Sequence, residues 1–97
     1  MSHSPPELQP DAVAATLDEA MQAFHDQRPQ EAERLAAAVL AANPGHIQAA
    51  WILGQVLLAE GRAADAIAPL REAAQLSPGP ALETLLGRAL AETGAAD

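Results

Sequence analysis

From residue 11 onward, apolar residues return every three or four positions, the spacing that gathers them on one face of an α-helix. In the first stretch they are Val13, Leu17, Ala20, Met21 and Phe24, and Asp11 stands where an N-cap belongs. The pattern stops at Gln27-Arg28-Pro29. Pro29 blocks a continuing helix but suits the first turn of a new one. A second helix is expected from Pro29 to about Ala42, with Ala32, Leu35, Ala36, Val39 and Leu40 inward and Glu31, Glu33 and Arg34 on the wet side. Asn43-Pro44-Gly45 is a strong breaker. The third stretch, about His46 to Glu60, is apolar on more than one side: Ile47, Ala50, Trp51, Ile52, Leu53, Val56, Leu57 and Leu58. Such a helix needs neighbours on several sides. Gly61 suits the left-handed residue that closes it. The fourth helix, about Ala64 to Leu76, turns Ala66, Ile67, Leu70, Ala73 and Ala74 inward, with Asp65 near its cap. Pro69 is expected early in it, with a slight bend, because a later proline costs a backbone hydrogen bond. After Ser77-Pro78-Gly79-Pro80, a fifth helix from about Ala81 to Thr93 presents Leu82, Leu85, Leu86, Ala89 and Leu90 and ends at Gly94. Residues 1–10, with Pro5, Pro6 and Pro10 among polar residues, read as a disordered or extended lead-in, which leaves 11–97 as one all-α domain.

Composition narrows the class. Of the 97 residues, 49% are hydrophobic but only 2% aromatic, so the apolar content is mostly alanine and leucine, which favour helix over a β-sandwich. The formal charge is −8, from 13 acidic residues against five basic ones, all arginine. That balance argues against nucleic-acid phosphates or an anionic membrane as partner, while fitting simple solubility. The absence of cysteine excludes disulfides, thiol catalysis and zinc ribbons. The N-terminus has neither the basic nor the apolar region of a signal peptide, and Glu60 and Gly61 cut short the best apolar run, so a cytoplasmic protein is expected.

Catalytic chemistry finds little support. His25 and Asp26 are adjacent at a helix end and His46 lies beyond the next helix, without a metal-ligand spacing. His25 reads instead as a cation at a helix C-terminus. Ser77 sits in a turn without a base, and Gly45, Gly54 and Gly61 do not form a phosphate loop. No enzyme activity, cofactor, catalytic residue or metal site is expected.

The landmarks repeat. Gly54 to Gly87 and Gly61 to Gly94 are both steps of 33 residues, and Ala32 to Ala66 and Pro44 to Pro78 are both steps of 34. A period of this length signals stacked helix pairs. The unit running from Ile47 to Gly79 carries Leu53, Gly54, Leu57 and Gly61 on its first helix and Ala66, Leu70, Ala73 and Pro78 on its second. In this it resembles the tetratricopeptide repeat family. Trp51 falls one place after the family's usual tryptophan, with Ala50 in that slot. An earlier copy, about 13–45, keeps Ala20, Ala32, Val39 and Pro44, but Gln27 replaces the turn glycine and Glu19 a leucine, a departure that allows a turn one residue shorter. A partial third copy, 80–97, keeps Leu86, Gly87, Leu90 and Gly94.

The resemblance implies a right-handed α-α superhelix of antiparallel helix pairs, two repeats plus one extra helix, whose first helices line a concave, mostly apolar groove. Carried onto this chain, the groove positions are Leu17, Met21 and Phe24 on the first helix, Gln48, Trp51, Gln55 and Leu58 on the third, and Thr84, Arg88 and Glu92 on the fifth. Leu17, Met21 and Phe24 fit plain packing as well. Trp51 fits either a ligand platform or an interface with another copy, and Arg88 either a carboxylate grip or a solvated cation. A clamp of lysines and asparagine for a terminal carboxylate is absent, since there is no lysine and the only asparagine is Asn43 in a turn. The function implied is a scaffold that binds a peptide or helix of a partner protein. Two alternatives stand beside it: homodimerisation through the groove, and the front segment of a larger protein such as a sulfotransferase, glycosyltransferase or hydroxylase, suggested by a stop at Asp97 where another second helix would begin.

Overall fold

The computed structural model describes residues 10–94; apart from Pro10, the lead-in expected at residues 1–10 lies outside them. Five helices follow one another: α1 (Pro10–His25), α2 (Pro29–Ala42), α3 (Ile47–Ala59), α4 (Ala63–Leu76) and α5 (Pro80–Thr93). There is no strand among the described residues. Turns of three or four residues join them, so consecutive helices return antiparallel. Three of the five begin with proline, whose missing N–H would have no helical acceptor there anyway. Asp11 is therefore inside α1 and not its cap.

The turns after α1 and α3 are built alike. After α3, Gly61 takes a left-handed φ of 75°. Its N–H donates to Leu58 O (3.1 Å) and that of Arg62 to Leu57 O (2.8 Å), which satisfies carbonyls the helix end would leave open. After α1, Gln27 takes φ 63°, with Gln27 N–H on Phe24 O (3.2 Å) and Arg28 N–H on Ala23 O (2.8 Å). The first turn is thus not shortened; a residue with a β-carbon occupies the glycine position. That conformation costs a side-chain-bearing residue about 1–2 kcal/mol. Gln27→Gly should stabilise the protein by about 1 kcal/mol, read as a higher urea midpoint at unchanged slope.

Two local expectations change. Pro69 is the seventh residue of α4, past the first turn, so the carbonyl of Asp65 loses its helical donor; Asp65 is exposed, where water can serve. Nor does Asp65 cap α4. The N-cap is Arg62, whose Nε donates to the Asp65 carboxylate at 2.9 Å. At α3 the N-cap is His46, whose Nδ1 accepts from Ala49 N–H at 3.2 Å.

Helix α3 is the centre of the array and packs against all four others. Ala49, Ala50, Ile52, Leu53, Gly54, Val56, Leu57 and Leu58 are all buried, as its all-round apolar pattern requires. Around it α1 contributes Leu17, Ala20 and Ala23, α2 contributes Ala32, Ala36 and Val39, α4 contributes Ala63, Ala66, Leu70 and Ala73, and α5 contributes Leu82, Leu85 and Ala89. Alanine makes up much of this core and lets the helix backbones approach closely. Polar bonds join the units at the rim. Ser77 Oγ donates to Gly45 O at 2.6 Å, and Arg62 reaches Glu33 at 2.7 Å. The Arg62 guanidinium, hydrogen-bonded to Glu33 and Asp65, is held above its ordinary pKa. These arginine pairs are exposed and contribute little individually.

The two ends of the array differ. Ala15, Asp18, Glu19 and Gln22 of α1 are exposed, whereas Ala49, Ile52, Leu53 and Val56, 34 residues on, are buried. Glu19 stands where the repeat has a leucine, on a side of α1 that no described helix covers. At the other end, Leu82 and Leu85 are buried but Leu86 and Leu90 are only half-covered.

Candidate functional site

The repeat steps bring three first helices into register on one face. Stepping by 34 from α1 to α3 and by 33 from α3 to α5 aligns Leu17, Trp51 and Thr84 in one row. The next row holds Met21, Gln55 and Arg88, and the one after it Phe24, Leu58 and Ala91. On each helix the rows lie three or four residues apart, so they share a side.

Exposure on this face is greatest on α5. Leu17 is 2% exposed and Leu58 8%, so both belong to the core and leave the candidate surface. Leu17 continues the inward stripe of Ala20 and Ala23, and Leu58 continues that of Leu57 and Val56 on α3. Met21, Phe24, Trp51 and Gln55 are half-buried, the three apolar ones packed against the core with part of their surface free. Gln48, Thr84, Arg88 and Glu92 are exposed. Among the predicted residues the structure therefore leaves an apolar floor of Met21, Phe24 and Trp51, an amide at Gln55, and polar groups on α5.

Phe24 borders a shallow hollow of about 400 Å³ whose other walls are His25, Gln27, Pro29, Ala59 and Glu60. The repeat pattern does not mark these residues as a group; the signal available was the matched ends of α1 and α3, which set Ala59 34 residues after His25. The His25 ring stacks beside Phe24, centroids 6.4 Å apart.

Charge on this face is sparse. Arg28, Arg34 and Arg62 each have a carboxylate within 4.0 Å. In the second of these pairs the Arg34 hydrogen bond holds the Glu31 carboxyl below its usual range. Arg88 has no such partner among the described residues and is the only arginine in the three rows. The described core contains no polar or charged side chain. Nothing there is set up by burial to act as an acid or base, the usual mark of a catalytic site. What the face can do is cover apolar groups of another molecule and meet one negative charge at its α5 side.

Comparison with known families decides the architecture: a model described as tetratricopeptide repeat matches residues 17–81, more than half of the chain. The chain belongs to the tetratricopeptide repeat family. Neither a curated protein nor a solved structure matches it. The tetratricopeptide match runs from Leu17, within α1, to the second residue of α5, so it covers the second helix pair whole and the first from Leu17 onward. Tetratricopeptide repeats generally mediate protein–protein interaction and are typically non-enzymatic modules. No helix among the described residues is long and apolar enough to cross a membrane.

Proposed function

We propose that this tetratricopeptide protein binds a peptide or helix of a partner across the face shared by α1, α3 and α5. The observation that carries the reading is the contrast across that face. Half-buried Met21, Phe24 and Trp51 sit at one side, and Arg88, without a carboxylate partner among the described residues, at the other. The half-buried side chains are already ordered by the core, so covering their free surface costs little further entropy. A partly exposed tryptophan is a frequent anchor at protein interfaces. The partner segment therefore carries apolar side chains toward α1 and α3 and a carboxylate toward Arg88, where a charge-assisted hydrogen bond forms.

The test uses peptides selected from a random library on the immobilised chain. Trp51 is the sole tryptophan, so its fluorescence reports binding at the face directly. Gln55→Glu combined with Arg88→Glu should weaken the selected peptides about tenfold or more, the scale of a lost charge-assisted bond plus a like-charge contact. Arg71→Glu, exposed on α4, should leave affinity unchanged. Equal affinity for the double variant and the parent would overturn the reading.

A further inference from the structure

Gly54 and Gly87 are equivalent residues, 33 apart, in very different surroundings. A β-carbon built on Gly54 would meet Leu85 Cδ2 at 2.7 Å and the two Leu70 methyls at 3.0 and 3.1 Å, whereas one built on Gly87 meets nothing within 4 Å. On α3, Leu53 and Leu57 beside that glycine are 7% and 2% exposed. Their counterparts on α5, Leu86 and Leu90, are only half-buried. Helix α4 covers the α3 face with Ala66, Leu70 and Ala73, all fully buried. The outer side of α5 thus repeats the seat on which α4 lies, with no described residue in its glycine slot and its two leucines half-covered.

We infer that this side of α5 docks an amphipathic helix of a partner protein, antiparallel to α5, with a small–x3–leucine–x2–small stripe and a basic residue in its last turn. The stripe follows from continuity with the α3–α4 interface, where Ala66, Leu70 and Ala73 have that spacing and the leucine fills the glycine slot. The basic residue follows from Glu83. It stands at the position of Ala50, on the line Glu83, Gly87, Leu90, and is exposed near the start of α5. An antiparallel helix places its C-terminal turn there, where a cation meets the carboxylate and also suits its own dipole. A second copy fits less well. The α2 and α4 stripes are already buried, so no described helix offers one, and each copy brings a formal charge of −8.

The probe is a labelled peptide with the α4 sequence, residues 63–76, carrying Pro69→Ala and Gln75→Arg and held helical by a lactam between solvent-facing positions. Fluorescence anisotropy should show saturable binding to the whole chain. Gly87→Leu fills the slot and should abolish it, and Glu83→Arg should weaken it about fivefold. Gln55→Glu, on the peptide-binding face, should leave it unchanged. Gly87 is exposed with free space around it, so Gly87→Leu should fold with an unfolding midpoint at or above the parent's. The inference is overturned by absence of saturable binding, by binding that survives Gly87→Leu, or by loss of the probe on Gln55→Glu. Sedimentation showing a dimer that Gly87→Leu dissociates would also overturn it, because a second copy would then be the occupant.

Discussion

Leu70→Ala should destabilise the protein by about 2–5 kcal/mol, the usual range for a leucine cut to alanine in a closed core. Leu70 is fully buried, and its two methyls lie 3.0 and 3.1 Å from where a β-carbon of Gly54 would stand. The glycine leaves room that the leucine fills, so truncation opens a cavity bounded on one side by helix backbone, which cannot relax into it. Stability of a domain this size is of the order of 5–15 kcal/mol, so the loss is a large share of the total. Urea unfolding followed through Trp51 measures it: the midpoint should fall while the slope holds, since the surface exposed on unfolding hardly changes.

The converse change, Gly54→Leu, should cost about 1–3 kcal/mol by overpacking the same contact. The nearest atoms are side-chain tips, Leu85 Cδ2 at 2.7 Å and the Leu70 methyls beyond it, so Gly54→Ala can be met by small rotations and gains about 1 kcal/mol of helix propensity. A full leucine side chain has nowhere to go, because Leu85 is itself 2% exposed. The two substitutions should couple. Two of the three tips that Gly54→Leu meets are the Leu70 methyls that Leu70→Ala removes, so the double variant should be more stable than the sum of the single losses by about 1 kcal/mol. The first helix pair already carries such a compensated arrangement, with Ala20 and Ala36 at the equivalent positions. Strict additivity would mean that α3 and α4 do not meet at Gly54.

The helix pairs were legible because breakers and apolar spacing coincide. Pro29, Asn43-Pro44-Gly45, Gly61 and Ser77-Pro78-Gly79-Pro80 fall where the periodicity stops, and the central role of α3 follows from a stretch that is apolar all round. The repeat step was legible because close helix packing requires a small residue at Ala20 and Gly54, and the glycine recurs as Gly87. Register on the partner face was harder to read. Leu17 and Leu58 occupy groove positions by spacing, yet how deep a position lies depends on how the helices cross, which a one-dimensional pattern does not contain. Trp51 is half-buried, both packed on the core and partly free, a depth that its place one position after the family's usual tryptophan does not disclose. The left-handed conformation of Gln27 was hidden because residue type points away from it, and only the hydrogen bonds shared with the Gly61 turn reveal it. Glu19 looked like a defect in the first repeat; its exposure shows that no buried leucine is needed at that position of α1.

The most direct test of binding across α1, α3 and α5 is a residue-resolved NMR titration of the isotopically labelled chain with a library-selected peptide. Amide shifts should concentrate at Met21, Phe24, Gln55 and Arg88 together with the Trp51 indole N–H. Shifts confined to α2 and α4, with the Trp51 indole unmoved, would contradict it.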